Sequence, residues 1–109
     1  MIPLVKDNQD AIIALCKQYG VRKLSLFGSA ATGNFDPATS DLDFLIDFSD
    51  YGAGVGRRFM TFAIALEDLL GRSVDLVFES VIKDRDFLQE VRDTQETLYD
   101  AGEGTEAVA

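Results

Sequence analysis

Gly28, Ser29, Asp41, Asp43 and Asp75 are the residues whose types and spacing could do chemistry. Gly28-Ser29 follows the short apolar run Leu24-Ser25-Leu26-Phe27. A glycine at a strand end lets the backbone approach a phosphate, and the N–H groups of the next helical turn, with the Ser29 hydroxyl, can bind it. Asp41 and Asp43 stand one residue apart at the start of a second apolar run, so on a strand they share a face. Two carboxylates so placed repel each other unless a cation or a proton relieves them. Asp75 lies in Val74-Asp75-Leu76-Val77 and is the candidate third member. Three such carboxylates beside a phosphate cradle suit two-metal phosphoryl transfer, in which metals neutralise the attacking and leaving oxygens and a carboxylate accepts the incoming hydroxyl's proton.

Rival readings fail on spacing. Gly28 to Gly33 has the G-x-x-x-x-G interval of a P-loop, but Asn34-Phe35 occupies the place of the required Lys-Ser/Thr. Gly52, Gly54 and Gly56 do not form a dinucleotide fingerprint. Asp47 lies four residues beyond Asp43, roughly 13 Å along a strand, too far to share a metal with it. Arg57 and Arg58 open a helix and could reach a triphosphate, yet they read as solvated charges and stay outside the site. Cys16 falls on an apolar helix face and reads as a core residue.

The elements that must position these groups follow from periodicity. A first helix is expected from an Asp7 N-cap through Ile12, Leu15, Cys16 and Tyr19, stopping at Gly20. Val21 to Phe27 is a strand, Ser29 caps a short turn over Ala30 to Thr32, and Gly33 to Ser40 is a loop. Asp41 to Phe48 alternates, with Leu42, Phe44, Ile46 and Phe48 inward and Asp41, Asp43, Leu45 and Asp47 on the other face. A helix runs from Arg57 to Leu70, with Phe59, Phe62, Ala63, Leu66, Leu69 and Leu70 as its stripe. A third strand spans Ser73 to Phe78, and a last helix from about Asp84 to Gly102 carries Phe87, Leu88, Val91 and Leu98. The order α-β-(short α)-β-α-β-α predicts an α/β (α+β) domain, a small mixed β-sheet with helices packed on one face and the other open near the carboxylates. It occupies residues 1–102, and Glu103 to Ala109 reads as a disordered tail.

The bulk composition narrows the rest. A chain of 109 residues is one domain with room for a core. Nineteen acidic against ten basic residues, net −9, argue against direct binding of nucleic acid through its backbone. The absence of histidine and the single cysteine exclude an internal disulfide and ordinary zinc ligation, leaving a hard cation on carboxylates. The N-terminus lacks the pattern of a secretion signal, and no apolar run reaches the ~20 residues that span a bilayer. A soluble cytoplasmic protein is expected.

Gly28-Ser29, Asp41-Leu42-Asp43 and Val74-Asp75-Leu76-Val77 resemble the nucleotidyltransferase superfamily of the DNA polymerase β type. Length and element order resemble its minimal members, the MNT antitoxins of HEPN/MNT toxin–antitoxin modules. The likeness covers roughly residues 8 to 100. It implies magnesium, two ions, on Asp41, Asp43 and Asp75, with Asp75 acting on the nucleophile and Gly28 and Ser29 contacting the nucleotide phosphates. It further implies ATP as substrate and AMP transfer to a tyrosine hydroxyl of a HEPN ribonuclease toxin, the partner in a hetero-oligomer. Two alternatives stand beside it: neutralisation of the toxin by binding alone, and nucleotidyl transfer to a small hydroxylated molecule. Eleven residues separate Ser29 from Asp41, longer than the commonest family spacing, which places the extra length in the loop from Asn34 to Ser40.

Overall fold

The structure, a computed structural model, describes residues 1–102; the tail expected at 103–109 lies outside the described residues. Four strands form one sheet in the order β3-β2-β1-β4, where β1 is Val21–Phe27, β2 Leu42–Phe48, β3 Val74–Val77 and β4 Glu96–Asp100. β1 runs antiparallel to both β2 and β4, while β2 and β3 are parallel. Parallel neighbours need a crossover, and helix α4, Val55–Leu70, supplies it. The sheet is mixed, as the element order implied.

The alternation in β2 sets which face is core. Leu42, Phe44, Ile46 and Phe48 are buried against Phe62, Leu66 and Leu70 of α4 and against Ile12 and Cys16 of α2, Gln9–Gln18. Gly71, in the left-handed conformation at φ 66°, closes α4 as expected. The N-terminal expectation is corrected in detail. Asp7 does not cap a helix; it ends a short helix α1, Pro3–Asp7, and Asn8 stands between α1 and α2 with its Nδ2 donating to Leu4 O at 2.8 Å. Cys16 is fully buried, and burial pushes its thiol up to about 12, so it is an inert core residue.

The chain's last segment departs from the sequence reading. Helix α5 spans Arg85–Thr94, capped by Asp84, whose Oδ1 accepts the Phe87 N–H at 2.9 Å. It does not continue to Gly102. Its apolar stripe gives out after Val91, Gln95 turns extended at ψ 146°, and Glu96-Thr97-Leu98-Tyr99-Asp100 becomes β4. Leu98 is therefore a strand residue in the main core. The strand wins because β1 would otherwise present an unpaired edge, and β-favouring Thr97 and Tyr99 pair with Ser25 and Leu24.

A second, smaller cluster lies on the opposite face, where Val91 of α5 packs on Phe27 and Leu45, with Val77 and Ile82 at its margin. This explains why Leu45, alternating with the outward carboxylates, is itself buried. The carboxylate face is thus covered at its middle and open at the Asp43 end.

Candidate active site

β2, an inner strand of the sheet, carries Asp43 near its start. Its Cα is paired with Phe27 on β1 and with Asp75 on the parallel strand β3. Neighbouring strands lie about 4.8 Å apart, so the two carboxylates are held side by side by backbone register. Asp41 sits just ahead of β2, two residues from Asp43, and is exposed, as is Asp75. Asp43 is only partly accessible.

The electrostatics reflect that crowding. The Asp43 carboxyl is pushed up to about 6, first by burial, then by the charge of Asp75, by a hydrogen bond with it, and by the charge of Asp41. Three like charges with one partly desolvated are unfavourable as they stand, and they suit a cation.

Gly28 closes the site on the β1 side. It holds φ 72°, ψ −150°, a backbone region that side chains rarely adopt. A Cβ there would overlap Asp43 Oδ2 and lie 3.3 Å from its Cγ. Glycine is needed for two reasons at once, the conformation and the contact. Gly28, and not Ser29, is the N-cap of the short helical turn α3, Ser29–Thr32. Its carbonyl accepts N–H bonds from Ala31 at 3.0 Å and Thr32 at 3.1 Å. Ser29 is the first residue of that turn and partly accessible, so its hydroxyl is not used as the cap.

The loop before Asp41 is tied down by a residue that sequence reasoning missed. Arg72, between α4 and β3, donates to Ser40 O at 3.0 Å and Pro37 O at 2.7 Å, and its guanidinium lies 5.0 Å from the Phe35 ring centroid. Ser40 adjoins Asp41, and Arg72 lies three residues before Asp75, so one side chain links the approaches to two carboxylates. Within the loop, Asp36 Oδ1 accepts the Ala38 N–H at 2.8 Å and Ser40 Oγ accepts the Asp36 N–H at 2.9 Å. The only sequence signal was a single basic residue immediately before a strand carrying a candidate carboxylate.

Other candidates are otherwise engaged. Asp47 accepts from Arg22 Nε at 2.5 Å and from the Tyr51 hydroxyl at 2.5 Å. Burial alone would raise its pKa, but the hydrogen bonds from Tyr51 and Arg22 outweigh that and hold it below the usual range. Arg58 donates to Tyr19 O at 3.2 Å and Asp50 O at 3.0 Å and stacks 4.9 Å from the Phe48 centroid, which makes it a structural tie. Arg57 is exposed.

Whether these groups could hold magnesium is a matter of donor chemistry. Among the described residues no three Cys, Asp or Glu side chains converge as a preformed metal cage. Magnesium does not need one: it keeps several waters and is commonly held by one or two carboxylates together with substrate phosphates. The adjacent Asp43 and Asp75, with Asp41 beside them, fit that requirement.

A four-stranded mixed sheet with one carboxylate just ahead of a strand and one within it, a third on the parallel neighbour and a Gly-Ser turn whose glycine lies against the middle one defines the nucleotidyltransferase class. The chain belongs to the nucleotidyltransferase domain family, whose profile matches residues 10–99. It is 38% identical over 69 residues to the protein adenylyltransferase MntA of Thermococcus cleftensis, covering 63% of this chain and 67% of that one. A solved structure provisionally assigned as a minimal nucleotidyltransferase superimposes with TM-score 0.69 at 28% identity, covering 86% of this chain and 94% of that one. A toxin–antitoxin structure with AMP-PNP gives TM-score 0.65 at 25% identity, covering 91% and 78%.

Proposed function

We propose that this protein is a magnesium-dependent adenylyltransferase and antitoxin, moving AMP from ATP to a tyrosine hydroxyl of a HEPN ribonuclease toxin. The observation that carries the reading is the register of β2 on β3, which sets Asp43 beside Asp75 with Gly28 against Asp43. The name of the Thermococcus relative and the nucleotide in the toxin–antitoxin neighbour support it.

Asp41, Asp43 and Asp75 would hold the metal, which when bound supplies charge neutralisation on the triphosphate. Gly28 and Ser29 hold and orient phosphate oxygens through backbone N–H groups and the Ser29 hydroxyl. The tyrosine oxygen attacks the α-phosphorus, the new O–P bond forms as the bond to the β-phosphate bridging oxygen breaks, and pyrophosphate leaves. Asp75, the more exposed partner of the pair, takes the tyrosine proton. The test is incubation of protein, toxin, Mg²⁺ and adenine-labelled ATP. Label on the toxin's tyrosine is expected, and equal labelling by Asp43→Ala would refute the assigned site.

A contact-only antitoxin is the second reading, favoured by Met60 and Ile64, exposed one turn apart on α4. It requires that the Asp41→Ala/Asp43→Ala double variant still protect cells from the toxin. Loss of protection with the complex intact excludes it.

A further inference from the structure

Beyond the Phe27, Leu45 and Val91 cluster, the sheet face that carries Asp43 opens again into a cavity of about 610 Å³. This volume lies within the range of small-molecule sites. It is a different place from the candidate active site. Lys23, on its wall, pairs in register with Asp47, whereas Phe27 pairs with Asp43. Four residues along a strand is roughly 13 Å, and the apolar cluster fills the interval.

The charges of the lining differ in how closely they are partnered. Asp47 is taken by Arg22 and Tyr51, and Glu79 by Arg92 at 2.7 Å. Lys23 is partly buried, and its ammonium makes no hydrogen bond or close ion pair among the described residues. Asp47 and Glu79 feel its charge but have nearer partners. Ser25 is only 1% exposed, and its hydroxyl has one long contact, 3.3 Å to Thr97 Oγ1. Gln95 also lines the cavity. Tyr51 and Phe78 form an aromatic side, their centroids 5.9 Å apart and their planes tilted by 57°, with the Tyr51 hydroxyl fixed by Asp47 and the Phe48 N–H.

We propose that this cavity is a second ligand site, for a small aromatic or heteroaromatic molecule bearing one anionic group. Lys23 supplies the counter-charge, Ser25 and Gln95 the orienting hydrogen bonds, and Tyr51 and Phe78 the surface for the ring. A cationic ligand is disfavoured because both acids of the lining are already neutralised. An inorganic anion alone would leave the aromatic wall unused.

The test is an NMR chemical-shift titration of the full chain in EDTA, with 4-hydroxybenzoate and AMP as probes. Their neutral counterparts, 4-hydroxybenzamide and adenosine, and inorganic phosphate serve as comparisons. At least one aromatic anion should bind about tenfold or more tightly than its neutral counterpart and than phosphate, the loss expected for one charge-assisted hydrogen bond. Shifts should centre on Lys23, Ser25 and Gln95. Lys23→Gln should weaken that binding about tenfold, Ser25→Ala should weaken it less, and Asp43→Asn should leave it unchanged. The proposal is overturned if neutral and anionic probes bind alike, if Lys23→Gln has no effect in a folded variant, or if neither anion binds by about 10 mM. It is also overturned if Asp43→Asn abolishes binding, since the ligand would then sit among the carboxylates.

Discussion

Replacing Asp43 with Asn should stabilise the protein while removing its activity, and the size of the gain follows from the site. The Asp43 carboxyl is held at about 6 against an ordinary 3.8, by burial and then by Asp75 and Asp41. A group whose pKa is raised on folding binds its proton more tightly in the folded state between those two values. Stability from this group is therefore full below about pH 4 and falls as pH rises through about 6. At about 1.4 kcal/mol per pH unit the gap is worth roughly 3 kcal/mol, and because the carboxyl is partly exposed, solvent screening reduces this to about 1–2 kcal/mol. Asn keeps the shape, can hydrogen-bond to Asp75 and carries no charge. For a domain of this size the variant should melt roughly 5–10 °C higher at pH 8 and close to wild type at pH 4. Thermal melts from pH 4 to 8 without metal provide the assay. A lower melting point at pH 8, or an unchanged slope between pH 4 and 6, would refute the electrostatic account of the site.

Three further outcomes follow. Gly28→Ala should cost about 1–3 kcal/mol from the positive φ alone, and by displacing Asp43 it should weaken Mg²⁺-dependent transfer more than stability; denaturant melts and rate assays compare the two. Arg72→Ala should lose about 1–2 kcal/mol and raise the Mg²⁺ concentration needed for half-maximal activity, with Arg72→Lys recovering part of both; an unchanged Mg²⁺ requirement would confine Arg72 to a structural role. Mg²⁺ should raise the wild-type melting point at pH 8 and do so far less in Asp43→Asn, a difference that calorimetry reads directly.

The strands that carry the carboxylates were legible in the sequence because their alternation is uninterrupted. β1 matches the expected Val21 to Phe27, and β2 carries Asp43 as expected but begins at Leu42, one residue later than the expected Asp41. What alternation cannot give is register between strands: that Asp43 meets Asp75 is a property of the β2/β3 pairing, and sequence alone supplied only their candidacy. The missed strand β4 has a physical cause. Leu98 follows Val91 by seven residues, two helical turns, so it extends the helical stripe on paper. The decision belongs to the unpaired edge of β1, a tertiary demand that local periodicity does not carry. Arg72 was invisible for a similar reason, since its partners Ser40, Pro37 and Phe35 lie more than thirty residues earlier.

The central claim, that the carboxylate set of β2 and β3 transfers AMP to a protein partner, is tested most directly by intact mass spectrometry. The toxin would be incubated with ATP, Mg²⁺ and either wild-type protein or Asp43→Asn. Wild type should add the mass of at least one adenylyl group at a tyrosine, and Asp43→Asn, folded and still bound to the toxin, should add none. An adenylylated toxin from the Asp43→Asn reaction, or an unmodified toxin that wild type nevertheless silences, would contradict the account.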